Sequence, residues 1–279
     1  RRFAYLSTIT DDYDTLNMYK WGLDSSYGLT GMAEGEFAVQ DLTWEIVNKM
    51  NLGVELGFLN GMIDLQLDYF DERRKDIFMP RESVPMTAGF MKQPWKNFGK
   101  VTNQGVEVSL NVNKQFGKDL FVSLMGTFTY AHNEITEKDE PSAVVGTNRA
   151  ETGHPVGQLT GYIAEGLFTE DDFEDVSTGK LKEGIPTQSF VSKLRPGDIR
   201  YRDINGDGKV DIFDKSPIGG TKDPEIVYGF GLNMKYKDLD FGALFQGIGR
   251  SWNILGSSII PGANRGVTGN MFTNANDRW

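Results

Sequence analysis

Apolar and polar residues alternate along "IVNKMNLGVELGFLNGMIDLQLDYF" for most of its length. Met50, Leu52, Val54, Leu56 and Phe58 fall on one side, with Asn51, Gly53, Glu55 and Gly57 on the other. After Asn60-Gly61, the alternation resumes with Ile63, Leu65, Leu67 and Tyr69 against Asp64, Gln66 and Asp68. A period of two predicts extended chain with one apolar face. Asn-Gly between two such runs predicts a hairpin, because a type I′ turn needs positive φ at both central residues.

The pattern returns twice. "GVEVSLNVN" and "LFVSLMGTFTY" flank the short turn "KQFGKD", with Val106, Val108, Leu110 and Val112 facing one way and Glu107, Ser109 and Asn111 the other. "IVYGFGLNMKY" and "LDFGALFQG" form the last pair, with Tyr228, Phe230, Leu232, Met234 and Tyr236 on the apolar side of the first. Two long connections separate these hairpins, Arg73 to Thr102 and Asn133 to Glu225. The second contains a strand-like "GQLTGYIAEGLF" and an acidic stretch, "TEDDFEDV", that reads as helical.

Short turns at one end of the strands and long loops at the other are the asymmetry of an outer-membrane barrel. A tilted strand of about 10 residues is long enough to cross a bilayer. Tyr69, Tyr130 and Tyr228 lie on the apolar faces toward the long loops, and Phe58 and Tyr236 toward the short turns. These are the positions of two interfacial girdles. The expected fold is all-β, part of a large antiparallel transmembrane barrel with extracellular loops. Residues 133–225 would then lie outside the cell.

Composition narrows the classes. With 39 acidic and 29 basic residues the net charge is -10, which argues against a nucleic-acid partner. There are no cysteines, so disulfides, thiol catalysis and thiolate metal sites are excluded. Only two histidines occur, His132 and His154, and neither stands in a catalytic or metal motif. No pair of acids stands out among the 39 as a catalytic couple, so no enzyme is expected. The chain opens on "RRFAYLST" and stops at "NANDRW", which reads as an internal piece of a longer protein.

One motif carries metal chemistry. In "DINGDGKVDIFD", Asp203, Asn205, Asp207, the Lys209 carbonyl, Asp211 and Asp214 occupy positions one, three, five, seven, nine and twelve of a calcium loop, with glycine (Gly208) at six. An all-oxygen set of this size suits Ca2+. Position twelve is normally glutamate, and the shorter Asp214 implies modest affinity. The expected role is structural: an ion pinning a long loop that lacks a core of its own. Consecutive Asn-Gly and Asp-Gly turns without an ion are the other reading.

The stretch "RPGDIRYRDINGDGKVDIFDKSPIGGTKDPEIVYGFGLNMKYKDLDFGALFQG" resembles a late segment of SusC/RagA-type TonB-dependent outer-membrane transporters. Asp203 to Gly208, Ile218-Gly219, Tyr228 to Phe230 and Phe245 to Gly247 carry the likeness. "DLTWEIVNKMNLGVELGFLNGMIDLQLDYF" is similar to an earlier hairpin of that family, and "GHPVGQLTGYIAEGLF" to the segment between them. The resemblance implies a barrel of roughly 22 strands in the outer membrane of a Gram-negative bacterium. It further implies import of oligosaccharides or peptides, powered through TonB and assisted by a SusD-like surface lipoprotein. A plug domain and TonB box belong to such proteins, and neither is visible in this sequence.

A secreted calcium-dependent adhesion or glycan-binding domain is the alternative, with Trp21, Trp95 and Trp252 as candidate sugar-stacking residues. What the apolar strand faces meet separates the two. In a soluble domain they pack on another sheet, whereas in a barrel they meet outer-membrane lipid.

Overall fold

The computed structural model describes residues 3–10, 19–21, 23, 27–29, 32–90 and 92–254. Its centre is one antiparallel sheet of six strands: β1 (Ile46–Phe58), β2 (Ile63–Pro80), β3 (Trp95–Phe116), β4 (Leu120–Glu137), β5 (Ile226–Tyr236) and β6 (Leu239–Gly249). They pair in chain order, leaving β1 and β6 as free edges. Up-and-down order with open edges is the topology of a stretch of barrel wall.

The three turns predicted from the sequence form. Asn60 and Gly61 adopt φ of 57° and 80°, and Met62 donates its amide to the Leu59 carbonyl at 3.3 Å. Gly117 (φ 63°) turns β3 into β4, and Lys237 (φ 54°) turns β5 into β6.

Register places whole rows of side chains on one face. Leu56, Leu65 and Leu110 lie opposite one another and continue into Gly126, Phe230 and Phe245. The Phe230 and Phe245 rings stack at 5.0 Å. On the other face the row Glu55, Gln66, Ser109, Thr127, Gly229 and Gln246 is polar or small. Leu52, Phe230 and Phe245 are 62%, 53% and 57% exposed. Among the described residues no second layer covers them, since the long strands make their principal contacts with one another. The sheet therefore presents an apolar face outward, as a lipid-facing wall does and a soluble sandwich does not.

The height of this apolar band fits a membrane. On β3 it runs from Val106 to Phe116, about 34 Å at the usual rise per residue, with one outward charge near its end, Lys114, whose ammonium lies over the Phe116 ring. At a tilt of about 40° that length becomes roughly 26 Å, close to the apolar height of an outer-membrane barrel. Beyond Tyr69 and Tyr130 the outward positions turn polar, to Asp71, Arg73, Gln104 and His132. Arg73 Nη2 and Gln104 Nε2 both donate to Asp71 Oδ2, at 3.1 and 3.3 Å.

The strands differ from the sequence reading in length. β2, β3 and β4 extend past the band by up to eleven residues, so the connections narrow to 81–94 and 138–225. Two features hide these extensions. Their outward positions are polar, and a bulge at Lys75-Asp76, with Asp76 at φ 58°, breaks the alternation. Asn97 clamps the bulge by donating to the Asp76 and Thr43 carbonyls at 2.8 and 3.0 Å.

The stretch "TEDDFEDV" is not helical beyond one turn. Glu170–Asp172 form a single 3-10 turn, capped by Thr169 and Asp172, before Phe173–Asp175 enters a two-stranded ladder. Acids crowded into a first turn cap it without extending it. Among the described residues no helix is long and apolar enough to cross a membrane, which says nothing of crossing by strands.

Candidate functional site: the polar face and the folded loop

Two places can meet a solute. On the polar face, Glu55, Asp64, Gln66, Ser109 and Asn111 surround an open depression of about 450 Å³. Gln66 Nε2 donates to Asp68 Oδ2 at 2.9 Å. Alternation puts these groups on the side away from lipid, where uncharged and acidic oxygens can accept hydrogen bonds from hydroxyls, amides or water.

The second place is the connection 138–225, which the sequence reading treated as a loop without a core. It has one. Phe168, Phe173 and Leu194 are buried together, with Leu181, Ile185 and Val191 packed against them. Short ladders join Ala164–Leu167 to Ile199–Tyr201 and Thr187–Gln188 to Lys209–Val210. Tyr162, Phe190 and Tyr201 form a second cluster with centroids 4.9 to 5.8 Å apart. Burial raises the Tyr162 hydroxyl above its usual pKa, and the carboxylates of Asp211 and Asp214 raise it further. No periodicity marks these apolar residues, because they come from turns and two-residue ladders.

This unit is tied to the strands. Gly153 and His154 continue the ladder of β4, with Ile135 donating to the His154 carbonyl at 2.9 Å. Asp139 is buried and accepts from Arg81 Nε at 3.0 Å and Ser83 Oγ at 2.8 Å, fastening the 81–94 connection to the larger one. Burial raises the Asp139 carboxyl, but the hydrogen bonds from Arg81 and Ser83 together outweigh it and hold the group below the usual aspartate range. At the outer rim, Glu225 accepts from Arg250 at 3.2 Å and lies 2.5 Å from His132 Nδ1.

The Asp203–Asp214 segment closes on its own amides. Asp203 accepts from Gly206 and Gly208, both at 2.7 Å, and Asn205 Oδ1 from Asp207 at 2.9 Å. Gly206 and Gly208 take φ of 75° and 84°, so both glycines serve left-handed turns. Asp207 accepts from the Lys209 amide at 2.9 Å. Asp211 caps the 3-10 turn Ile212–Asp214 by accepting from Phe213 at 2.9 Å, and that bond, chiefly, lowers its pKa. Asp214 has no exposed surface and accepts from Ile204, Asn205 and Asp211 at 2.8, 3.3 and 2.7 Å.

All six predicted positions thus share one loop. As a donor set they are oxygens of the right chemistry, and the half-buried Asp203 and exposed Asp207 carboxylates keep lone pairs beyond their amide bonds. Among the described residues, however, no three acids or histidines gather closely enough to form a metal-holding group. The buried Asp214 carboxylate organises the segment by accepting from three backbone amides.

Two of the tryptophans weighed as sugar platforms are occupied by packing. Trp95 lies 5.0 Å from the Phe78 ring. Trp252 covers Gly219 and Gly220, where an added Cβ would come within 2.5 Å of the indole. That contact explains the glycine of Ile218-Gly219, whose φ of 59° also favours glycine. Trp21 lies in the short strand Tyr19–Trp21.

Comparison with known proteins adds a family. A family model described as "TonB dependent receptor-like, beta-barrel" matches residues 7–207. TonB-dependent receptor SusC of Bacteroides thetaiotaomicron is 28% identical over 207 residues, covering 72% of this chain and 19% of that protein. TonB-dependent receptor P3 of Formosa agariphila is 24% identical over 247 residues, covering 84% of this chain and 23% of the relative. Among solved structures, the RagAB peptide importer in the open-open state superposes with a TM-score of 0.59 at 20% identity, over 91% of this chain and 24% of that one. Its closed-closed state gives 0.58 at 21% identity. The chain thus spans about a fifth to a quarter of the length of these relatives.

Proposed function

As the chain belongs to the TonB-dependent receptor-like β-barrel family, we propose that it is a wall segment of a SusC-like importer that carries oligosaccharides or peptides across the outer membrane. The single observation that carries this reading is the six-stranded sheet with one uncovered apolar face, one polar face, and long connections at only one end. The apolar face meets lipid. The polar stripe from Glu55 to Asn111 lines the path of the solute, and the folded connection 138–225 faces the outside of the cell.

The remaining strands, a plug and the segment that engages TonB belong to other parts of the protein, and a SusD-like surface lipoprotein is its partner at the outer mouth. The chain does no chemistry on the solute. The RagAB peptide importer, similar in fold, supports the peptide side of the choice between glycan and peptide, and SusC, similar in sequence, supports the TonB-dependent receptor reading.

Calcium belongs to the same proposal as a structural ion of the outer loop, held by Asp203, Asn205, Asp207, the Lys209 carbonyl, Asp211 and Asp214. What supports it is the spacing of oxygen donors. Bound there, the ion would join the exposed Asn205 and Asp207 side of the loop to the buried Asp214 side. Limited proteolysis of the full-length protein, with and without a calcium chelator, tests it. Faster cleavage within 199–217 on chelation is expected, and unchanged cleavage would remove the ion from the proposal.

The importer itself is tested on the full-length protein extracted in mild detergent. A gel shift on boiling, with a surface lipoprotein co-purifying, is the expected result. A protein that stays in solution without detergent and shows no shift would overturn the reading.

A further inference from the structure

The folded connection holds a cavity that neither the polar stripe nor the Asp203–Asp214 loop uses. It measures about 260 Å³ and lies between residues 149–160 and Lys215–Pro217, with Arg149, Glu151, His154, Gln158 and Lys215 among its lining. Its walls are fixed. Asn148 Nδ2 donates to the Phe213 and Lys215 carbonyls at 3.0 and 2.7 Å, and Gln158 Nε2 to the Leu159 carbonyl at 2.9 Å.

The charges in this cavity are unusual for an acidic chain. Among the described residues neither Arg149 nor Lys215 forms a direct ion pair, although acids outnumber bases by ten in the whole sequence; Arg149 lies only within electrostatic reach of Asp211. The acids beside them are engaged elsewhere. Glu151 is held by Lys138 at 2.7 Å, and Asp211 by Lys209 at 3.1 Å and the Phe213 amide. Each cation instead rests on a ring: the Arg149 guanidinium lies 5.0 Å from the Phe213 centroid, and Lys215 Nζ 5.6 Å from that of Tyr162. A guanidinium steadied against a ring keeps its in-plane N–H fork free, the geometry that grips a carboxylate with two hydrogen bonds.

We propose that this cavity binds a carboxylate of the imported solute, with Arg149 as the fork and Lys215 as a second positive charge. The volume is below the range of pockets that enclose a drug-sized ligand, roughly 300–1,000 Å³. One acidic residue or one uronic-acid ring therefore enters, and the rest of the solute lies outside. The inference rests on the importer reading for the identity of the ligand as cargo. The carboxylate could come from an acidic peptide or from an acidic sugar, and the two are separable by experiment.

The test is calorimetric titration of the full-length protein in detergent at low ionic strength, with triglutamate and trigalacturonate as probes and triglutamine and trigalactose as neutral counterparts. One acidic probe is expected to bind at least about tenfold tighter than its neutral counterpart, and which one it is identifies the source. Arg149→Gln with Lys215→Gln should remove that preference while the heat-dependent gel shift is retained. Lys215→Gln alone keeps the test open should the double variant fail to assemble. Equal binding of acidic and neutral probes, no binding of either acid, or an unchanged preference in the variants would overturn the proposal. The titration does not depend on transport, so loss of the importer reading would show separately, as an absent gel shift or absent lipoprotein.

Discussion

Leu110 and Asn111 are consecutive residues of β3 that point to opposite faces, and replacing each with arginine tests the orientation of the whole sheet. Leu110 stands opposite Leu65 and Gly126 on the apolar face, about two-fifths of the way from Val106 to Phe116 and so near the middle of the band. An arginine on the lipid face at that depth costs about 2–4 kcal/mol in outer-membrane barrels. Asn111 faces Asp64 and lines the same depression as Glu55. There an arginine stays hydrated and gains acidic neighbours, so Asn111→Arg should change stability by less than about 1 kcal/mol. The assay is a urea titration of the full-length protein in detergent micelles or bilayers, read by heat-dependent gel mobility. Leu110→Arg should move the midpoint down or abolish assembly, with Asn111→Arg close to the parent. Equal losses, or a greater loss for Asn111→Arg, would refute the assignment of faces and with it the barrel.

Glycines of the sheet offer a paired test: a Cβ on Gly105 would run into the Tyr130 carbonyl and the Phe70 ring, whereas Gly126 has open space around it. Gly105→Ala should therefore cost about 1–3 kcal/mol and Gly126→Ala nothing or a slight gain, checked by the same urea titration. Asp139 has a lowered pKa, so its contribution is complete above the unfolded value of about 3.9 and is lost as pH falls through the lower folded value. The protection of the amides of residues 81–94, taken relative to their intrinsic exchange rates, should accordingly hold steady from neutrality to about pH 4 and fall below it. Asp139→Asn should be less protected at neutrality and flat across that acid range. Asp214→Ala would leave the amides of Ile204, Asn205 and Asp211 without their acceptor, at about 1–3 kcal/mol for a buried donor. Proteolysis should then cut within 199–217 while the gel shift persists.

What the sequence could reveal follows from where the fold uses a regular period. From Leu52 to Phe58 and from Val106 to Val112 each residue alternates between lipid and the polar interior, so solvent chemistry writes the strand directly into the sequence. Asn60-Gly61 announces its turn for the same kind of reason, since few other pairs accept positive φ at both positions. Past Tyr69 and Tyr130 both faces meet water or protein, the outward residues become Asp71, Gln104 and His132, and the strands run on without a signal.

The same logic explains the misreading of the outer connection. The spacing from Asp203 to Asp214 was legible and was given an ion to hold the loop, because no core could be seen. Phe168, Phe173 and Leu194 supply that core from positions with no common period, and only the fold brings them together. Asp214 is the link between the two accounts: a carboxylate with no exposed surface that serves three amides on one side of the loop. Buried carboxylates persist where several donors surround them, so the position demands an acid whether or not an ion is present. Arg149 and Lys215 carry the opposite lesson. Nothing in "TNRA" or "FDKS" marks a site, and the two cations become notable only when the fold sets them on one cavity, with Glu151 and Asp211 beside them held by Lys138 and Lys209. The motif that can be read in the sequence sets the turns of this loop, and the pair that cannot be read there is found only from the cavity that the fold builds around it.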